Sequence, residues 1–80
     1  MIVATFQNIG HHSHPLSVDD FAIVSALKTI ANNTNTLDEA NAKLRHYAPS
    51  SWYVYRGHDN IAVHRQKDDM VRVLLVTDAR

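Results

Sequence analysis

Met70-Val71-Arg72-Val73-Leu74-Leu75-Val76-Thr77 is the stretch whose reading decides the fold. Six of its eight residues are apolar and three are valines. β-Branched side chains lose rotamer freedom against a helix turn and fit a pleated, half-buried surface better. A strand with one wet face would alternate, but Val73, Leu74, Leu75 and Val76 run without a break. Both faces of this strand want cover. It is expected to be an interior strand, or an edge strand covered by a second copy.

Upstream, Ser51-Trp52-Tyr53-Val54-Tyr55-Arg56 is a strongly aromatic strand and Ile61 to Gln66 is its return, joined by the tight turn Gly57-His58-Asp59-Asn60. Lys67-Asp68-Asp69 turns again into the C-terminal strand. At the other end of the chain, residues 1–8 read as a strand, with Ile2, Ala4 and Phe6 on one face and Val3, Thr5 and Gln7 on the other. This strand is a natural neighbour for the C-terminal one.

Two helices fill the middle. Gly10 breaks the first strand, and residues 10–16 form a histidine-bearing loop with Pro15. Ser17 then caps a helix over 18–31, with Asp19 and Asp20 at its positive end. Its buried face is expected at Ile23, Ala26, Leu27, Ile30 and Ala31, with Val18 and Phe21 on the opposite, mostly polar side. Residues 32–35 are a polar turn rich in Asn, which stops helices. Thr36 caps the second helix, 37–48, with Glu39 three residues on. Leu37, Ala40, Leu44, Tyr47 and Ala48 make its narrow apolar stripe, and Glu39 and Lys43 an i, i+4 pair. The expected fold is a single small α+β domain over residues 1–80. Its order is β-α-α-β-β-β, a four-stranded, mainly antiparallel sheet with two helices on one face.

Length and composition bound the rest. A chain of 80 residues buries only about 60–65% of the surface its unfolded form exposes, enough for one modest core. There is no cysteine, so neither a disulfide nor a thiolate zinc site is available. No signal-peptide pattern opens the chain, and no apolar run approaches the roughly 20 residues of a membrane span. Cytoplasmic residence without membrane contact is the expectation. Charge is balanced, with eight basic and eight acidic residues, but unevenly spread. Residues 1–40 carry a net −3 and residues 41–80 a net +3. A zero balance speaks against nucleic acid, which is held by a basic surplus. The two glycines, Gly10 and Gly57, make no phosphate-cradling loop.

Six histidines are the compositional oddity. His11, His12 and His14 share one loop and are weak candidates for a metal, since imidazole is a ready ligand. Their spacing matches no closed zinc site, so no cofactor is expected. His58 and His64, with Tyr55, Arg56 and Asp59 on the same hairpin, could support acid–base cleavage of RNA. The layout of a helix before a three-stranded sheet with hairpin histidines resembles small toxin ribonucleases and double-stranded-RNA-binding domains in topology alone; no motif of either is present. The balance therefore falls against an enzyme. Two helices and a hairpin wing also allow a DNA-binding helix-turn-helix. However, Asp38 and Glu39 stand at the helix end that would enter the groove.

The function best supported by the residues is docking on another protein. Chains of this size without a catalytic set include adaptors and inhibitors, among them phage and mobile-element proteins that block a host enzyme. Half of each strand should point away from the helices. Trp52, Tyr53, Tyr55, Arg56 and Arg65 are the expected anchors, with Phe21 as a second spot, because aromatics and Arg dominate interface hot spots. Pairing of an uncovered strand edge with a two-fold mate makes a homodimer a companion expectation.

Overall fold

A computed structural model describes residues 1–7, 17–65 and 72–79 of the chain. Its elements are β1 (Ile2–Phe6), α1 (Val18–Asn32), α2 (Leu37–Tyr47), β2 (Trp52–Arg56), β3 (Asn60–Arg65) and β4 (Arg72–Asp78). The strands form one antiparallel sheet in the order β1-β4-β3-β2, and both helices pack on the same face. This is the expected β-α-α-β-β-β α+β fold. The candidate metal histidines His11, His12 and His14 lie outside the described residues, as does the 67–69 turn.

β4 is interior, flanked by β1 and β3. Its Val73, Leu74 and Val76 are buried, while Leu75 is half-buried. Alternation fails at the upstream end because the β3–β4 register shifts between Val63 and His64. Val63 stands opposite Leu74 and His64 opposite Arg72, so Val73 is the extra residue of a bulge. A bulge interrupts the period of two, which explains two adjacent buried residues on one strand.

Both helices start where the sequence places them. Ser17 Oγ accepts from the Asp20 amide at 3.1 Å, and Thr36 Oγ1 accepts from the Glu39 amide at 3.0 Å. Each bond satisfies one of the amides that a helix start leaves without an intrahelical partner. Glu39 also pairs with Lys43 at 3.6 Å. Thr36→Ala should cost about 1 kcal/mol of stability, read from the midpoint of urea unfolding.

The rotation of α1 differs from the expectation. Val24, Leu27 and Ala31 are buried, Ile23 and Ile30 partly so, and Ala26 is exposed. On α2, Ala40 and Leu44 are buried, Leu37 and Ala48 are half-buried, and Tyr47 is exposed. The buried and half-buried ones among these meet Ile2 and Ala4 of β1, Trp52 of β2, Ile61 and Val63 of β3, and Val73, Leu74 and Val76 of β4 in one core. The β2–β3 hairpin closes through the Gly57 amide, which donates to the Asn60 carbonyl at 2.8 Å. A Cβ at Gly57 would come within 2.8 Å of Asn60 Oδ1, so a side chain there would displace Asn60. No helix among the described residues is long and apolar enough to cross a membrane.

Candidate functional site

The helices cover one side of the sheet, and no described element covers the other. The pairing register assigns residues to this open face. Tyr53 stands opposite His64, and His64 opposite Arg72. Tyr55 stands opposite Ala62, which stands opposite Leu75, which in turn faces Thr5. Val3 and Thr77 pair next along. The face is aromatic at β2, aliphatic at its middle and polar toward β1.

Its centre is a row of rings. Tyr53 and Tyr55 lie edge to face with centroids 6.0 Å apart. Tyr55 meets His64 in the same manner at 5.0 Å. The second contact is diagonal across the ladder, since the residue directly opposite Tyr55 is Ala62. A small side chain there leaves the ring room to reach its diagonal neighbour. Edge-to-face geometry sets the positive rim of one ring on the negative face of the next, which adds about 0.5–1.5 kcal/mol per pair beyond area burial. Tyr55 remains 48% exposed, and Tyr53 and His64 are half-buried. At the far side Arg72 Nη2 donates to Gln7 Oε1 at 3.4 Å. The strands therefore present fixed rings with one accessible surface.

The other expected anchors are elsewhere. Trp52 and Arg65 sit directly opposite one another on the helix side, only 5% and 4% exposed. Trp52 belongs to the core, and Arg65 bonds Asp20 of α1 at 3.4 Å. Neither lies on the accessible surface. Arg56 also leaves the sheet on the helix side, where it reaches Asp38 at 3.2 Å and the His58 carbonyl at 3.1 Å, and bonds the Gly57 carbonyl. It fastens the hairpin loop to the start of α2. Phe21 is exposed beside Phe6, centroids 5.5 Å apart, with the Lys28 ammonium 5.5 Å from the Phe6 ring. That spot lies on the helix side, away from the tyrosines.

The residues considered for chemistry are also dispersed. His58 projects from the loop tip beside Asp59, at 3.7 Å, with both side chains nearly fully exposed. His64 lies on the open face and Arg56 on the other side. Alternation along the hairpin separates groups that are close in sequence. No three His, Cys, Asp or Glu side chains converge among the described residues. A polar cavity of about 460 Å³ between the α2 start and the hairpin loop is lined by Asp38, Arg56, His58, Asp59 and Asp78 among others.

No protein-family model, curated protein or solved structure matches the chain. The site therefore has to be read from its own residues. His64, Arg72 and Leu75 join the tyrosines through register, which residue type alone does not reveal. On β2 residue type does not separate the two faces, since a buried tyrosine hydroxyl and a buried indole N–H both need a partner.

Proposed function

We propose that the chain is a small protein-docking module, an adaptor or inhibitor, whose working surface is the open face of the sheet. The observation that carries this reading is the ring row Tyr53–Tyr55–His64, held at 6.0 and 5.0 Å on paired strands with no described element above it. Rigid aromatics give large contact area at little entropy cost, and such residues dominate hot spots. Leu75, Val3 and Ala62 extend the row as an apolar floor, and Arg72 supplies a charged rim. The residues weighed for acid–base chemistry are dispersed, with His58 at the loop tip, His64 on the open face and Arg56 on the helix side, which supports contact over catalysis.

The test is capture of partners from the source cell with the immobilised chain, comparing wild type, Tyr55→Ala and Phe21→Ala. Tyr55→Ala should weaken the captured complex by about 1–2 kcal/mol, some five- to thirtyfold in Kd. Phe21→Ala, on the helix side, should leave it unchanged. Equal capture by Tyr55→Ala and wild type, with both folded, removes the open face as the working surface.

A further inference from the structure

We propose that two copies of the chain join edge to edge along β2, about a two-fold axis beside Val54, into one continuous sheet. This goes beyond the docking reading and does not rest on it.

The backbone supplies the first argument. The Gly57–Asn60 bond fixes which β2 residues turn their backbone groups toward β3. In an antiparallel ladder these alternate, so Tyr55 and Tyr53 bond inward while Trp52, Val54 and Arg56 aim outward. The Trp52 amide is taken by the Pro49 carbonyl at 3.0 Å. Val54 and Arg56 keep both outward groups, and Trp52 its carbonyl, with no partner among the described residues. The opposite edge is treated differently. The Gln7–Val73 bond turns the even residues of β1 outward, and there the Ala4 amide is occupied by Asn32 Oδ1 at 2.9 Å. Each edge thus has one outward amide taken, but on β1 it is the central one, whereas the central residue of β2, Val54, keeps both of its outward groups. An unblocked edge is a template for another strand. An antiparallel copy centred on Val54 would exchange two bonds between the Val54 residues. Each Arg56 amide would then donate to the partner's Trp52 carbonyl.

Charge supplies the second argument and selects a second copy over a foreign strand. α2 lies along this edge and runs opposite to β2. Asp38, near its start, sits 3.2 Å from Arg56, at the downstream end of β2. Arg45, two turns on, lies near the end of α2 from which residues 48–51 lead into the upstream end of β2, and it lines a cavity of about 450 Å³ that runs along β2 from Trp52 to Tyr55. Two helical turns advance about 11 Å, and the four residues from Trp52 to Arg56 about 13 Å, so the two spans match. A two-fold axis at Val54 exchanges the ends. It carries the partner's Asp38 toward Arg45, and Arg45 toward the partner's Asp38. Asp38 Oδ1 is held by Arg56, but the side chain is 93% exposed and its second carboxylate oxygen can meet a further cation. Asn41 Oδ1 accepts from Arg45 Nε at 3.2 Å, which orients the guanidinium and leaves its terminal nitrogens for a partner. On the open face the same register sets Tyr53 opposite the partner's Tyr55, so the ring row runs on across the interface.

Light scattering at about 100 µM, above the micromolar Kd of a weak standard-size interface, should return twice the 9.0 kDa mass of one chain. Val54→Pro removes an amide that the chain's own ladder does not use, so it should return 9.0 kDa with an unchanged circular-dichroism spectrum. Arg45→Asp sets like charges together at both ends of the interface, as Asp38→Arg does, and each should weaken the dimer roughly tenfold at low salt. The double variant Asp38→Arg/Arg45→Asp restores opposite charges across the axis and should bind more tightly than either single variant, although it still lacks the Arg56–Asp38 pair. These exposed substitutions decide the matter if Val54→Pro fails to fold. A wild-type monomer at that concentration overturns the proposal, whether or not it takes up an extended peptide. So does a dimer whose double variant is no tighter than its singles.

Discussion

Leu74→Ala should lower the unfolding free energy by about 3 kcal/mol, whereas Leu75→Ala, one residue along the same strand, should cost about 1 kcal/mol. Leu74 is fully buried beneath the helices, between Phe6 of β1 and Val63 of β3 in the register. Truncating it removes transfer free energy and leaves a cavity in a core drawn from all six elements. Leu75 lies on the open face between Thr5 and Ala62, half-buried, and its loss opens no enclosed space. Urea unfolding of both variants reads the difference directly. The comparison also bears on function. If both leucines cost about 3 kcal/mol, the second face is as dry as the first. It could then not be a docking surface, and the proposed function would fail together with its ring row.

The order of elements was legible because it rests on local chemistry. Ser17 and Thr36 are good N-caps wherever they stand, and the apolar run from Val73 to Val76 marks an interior strand, although the cover expected on both its faces is found on one, with Leu75 on the open face. Which way each element faces was less legible. In α1, apolar residues at 23, 24, 26, 27, 30 and 31 spread over nearly half the circumference, wider than the roughly 100° stripe a core needs, so more than one rotation would bury a full stripe. Packing against β1 and β4 selects Val24 and leaves Ala26 outside. β2 poses the same problem with period two. Trp52, Val54 and Arg56 alternate with Tyr53 and Tyr55, and either set could line a core or a contact surface. Hot-spot composition favours both sets equally, so it could not separate Trp52 from Tyr53. The bulge at Val73 depends on two strands at once and leaves no mark on either alone. The proposed docking surface is a property of register, and register is the level at which a single sequence says least.

The placement of Arg65 leads to the other large effect. Asp20→Ala should destabilise the protein by about 2 kcal/mol, and by much less when Arg65 is already Met. Arg65 ends β3 beneath the first turn of α1, 4% exposed, and its guanidinium meets the Asp20 carboxylate at 3.4 Å. A charge taken from water is tolerated only beside an opposite charge or strong acceptors. Removing the carboxylate leaves the guanidinium buried with less compensation. For a fully buried pair that costs roughly 3–5 kcal/mol. Here the Asp20 side chain keeps 26% exposure, so water can enter the vacated space and the loss should be smaller. Replacing Arg65 by Met keeps the apolar stem opposite Trp52 and removes the charge that needed a partner. Asp20→Ala should then cost only what the first turn of α1 loses, a few tenths of a kcal/mol. The double-mutant cycle, read by urea unfolding, isolates the pair from other contacts of either residue. A cycle that closes without coupling would mean that groups other than Asp20 hold the Arg65 charge in its 4%-exposed position.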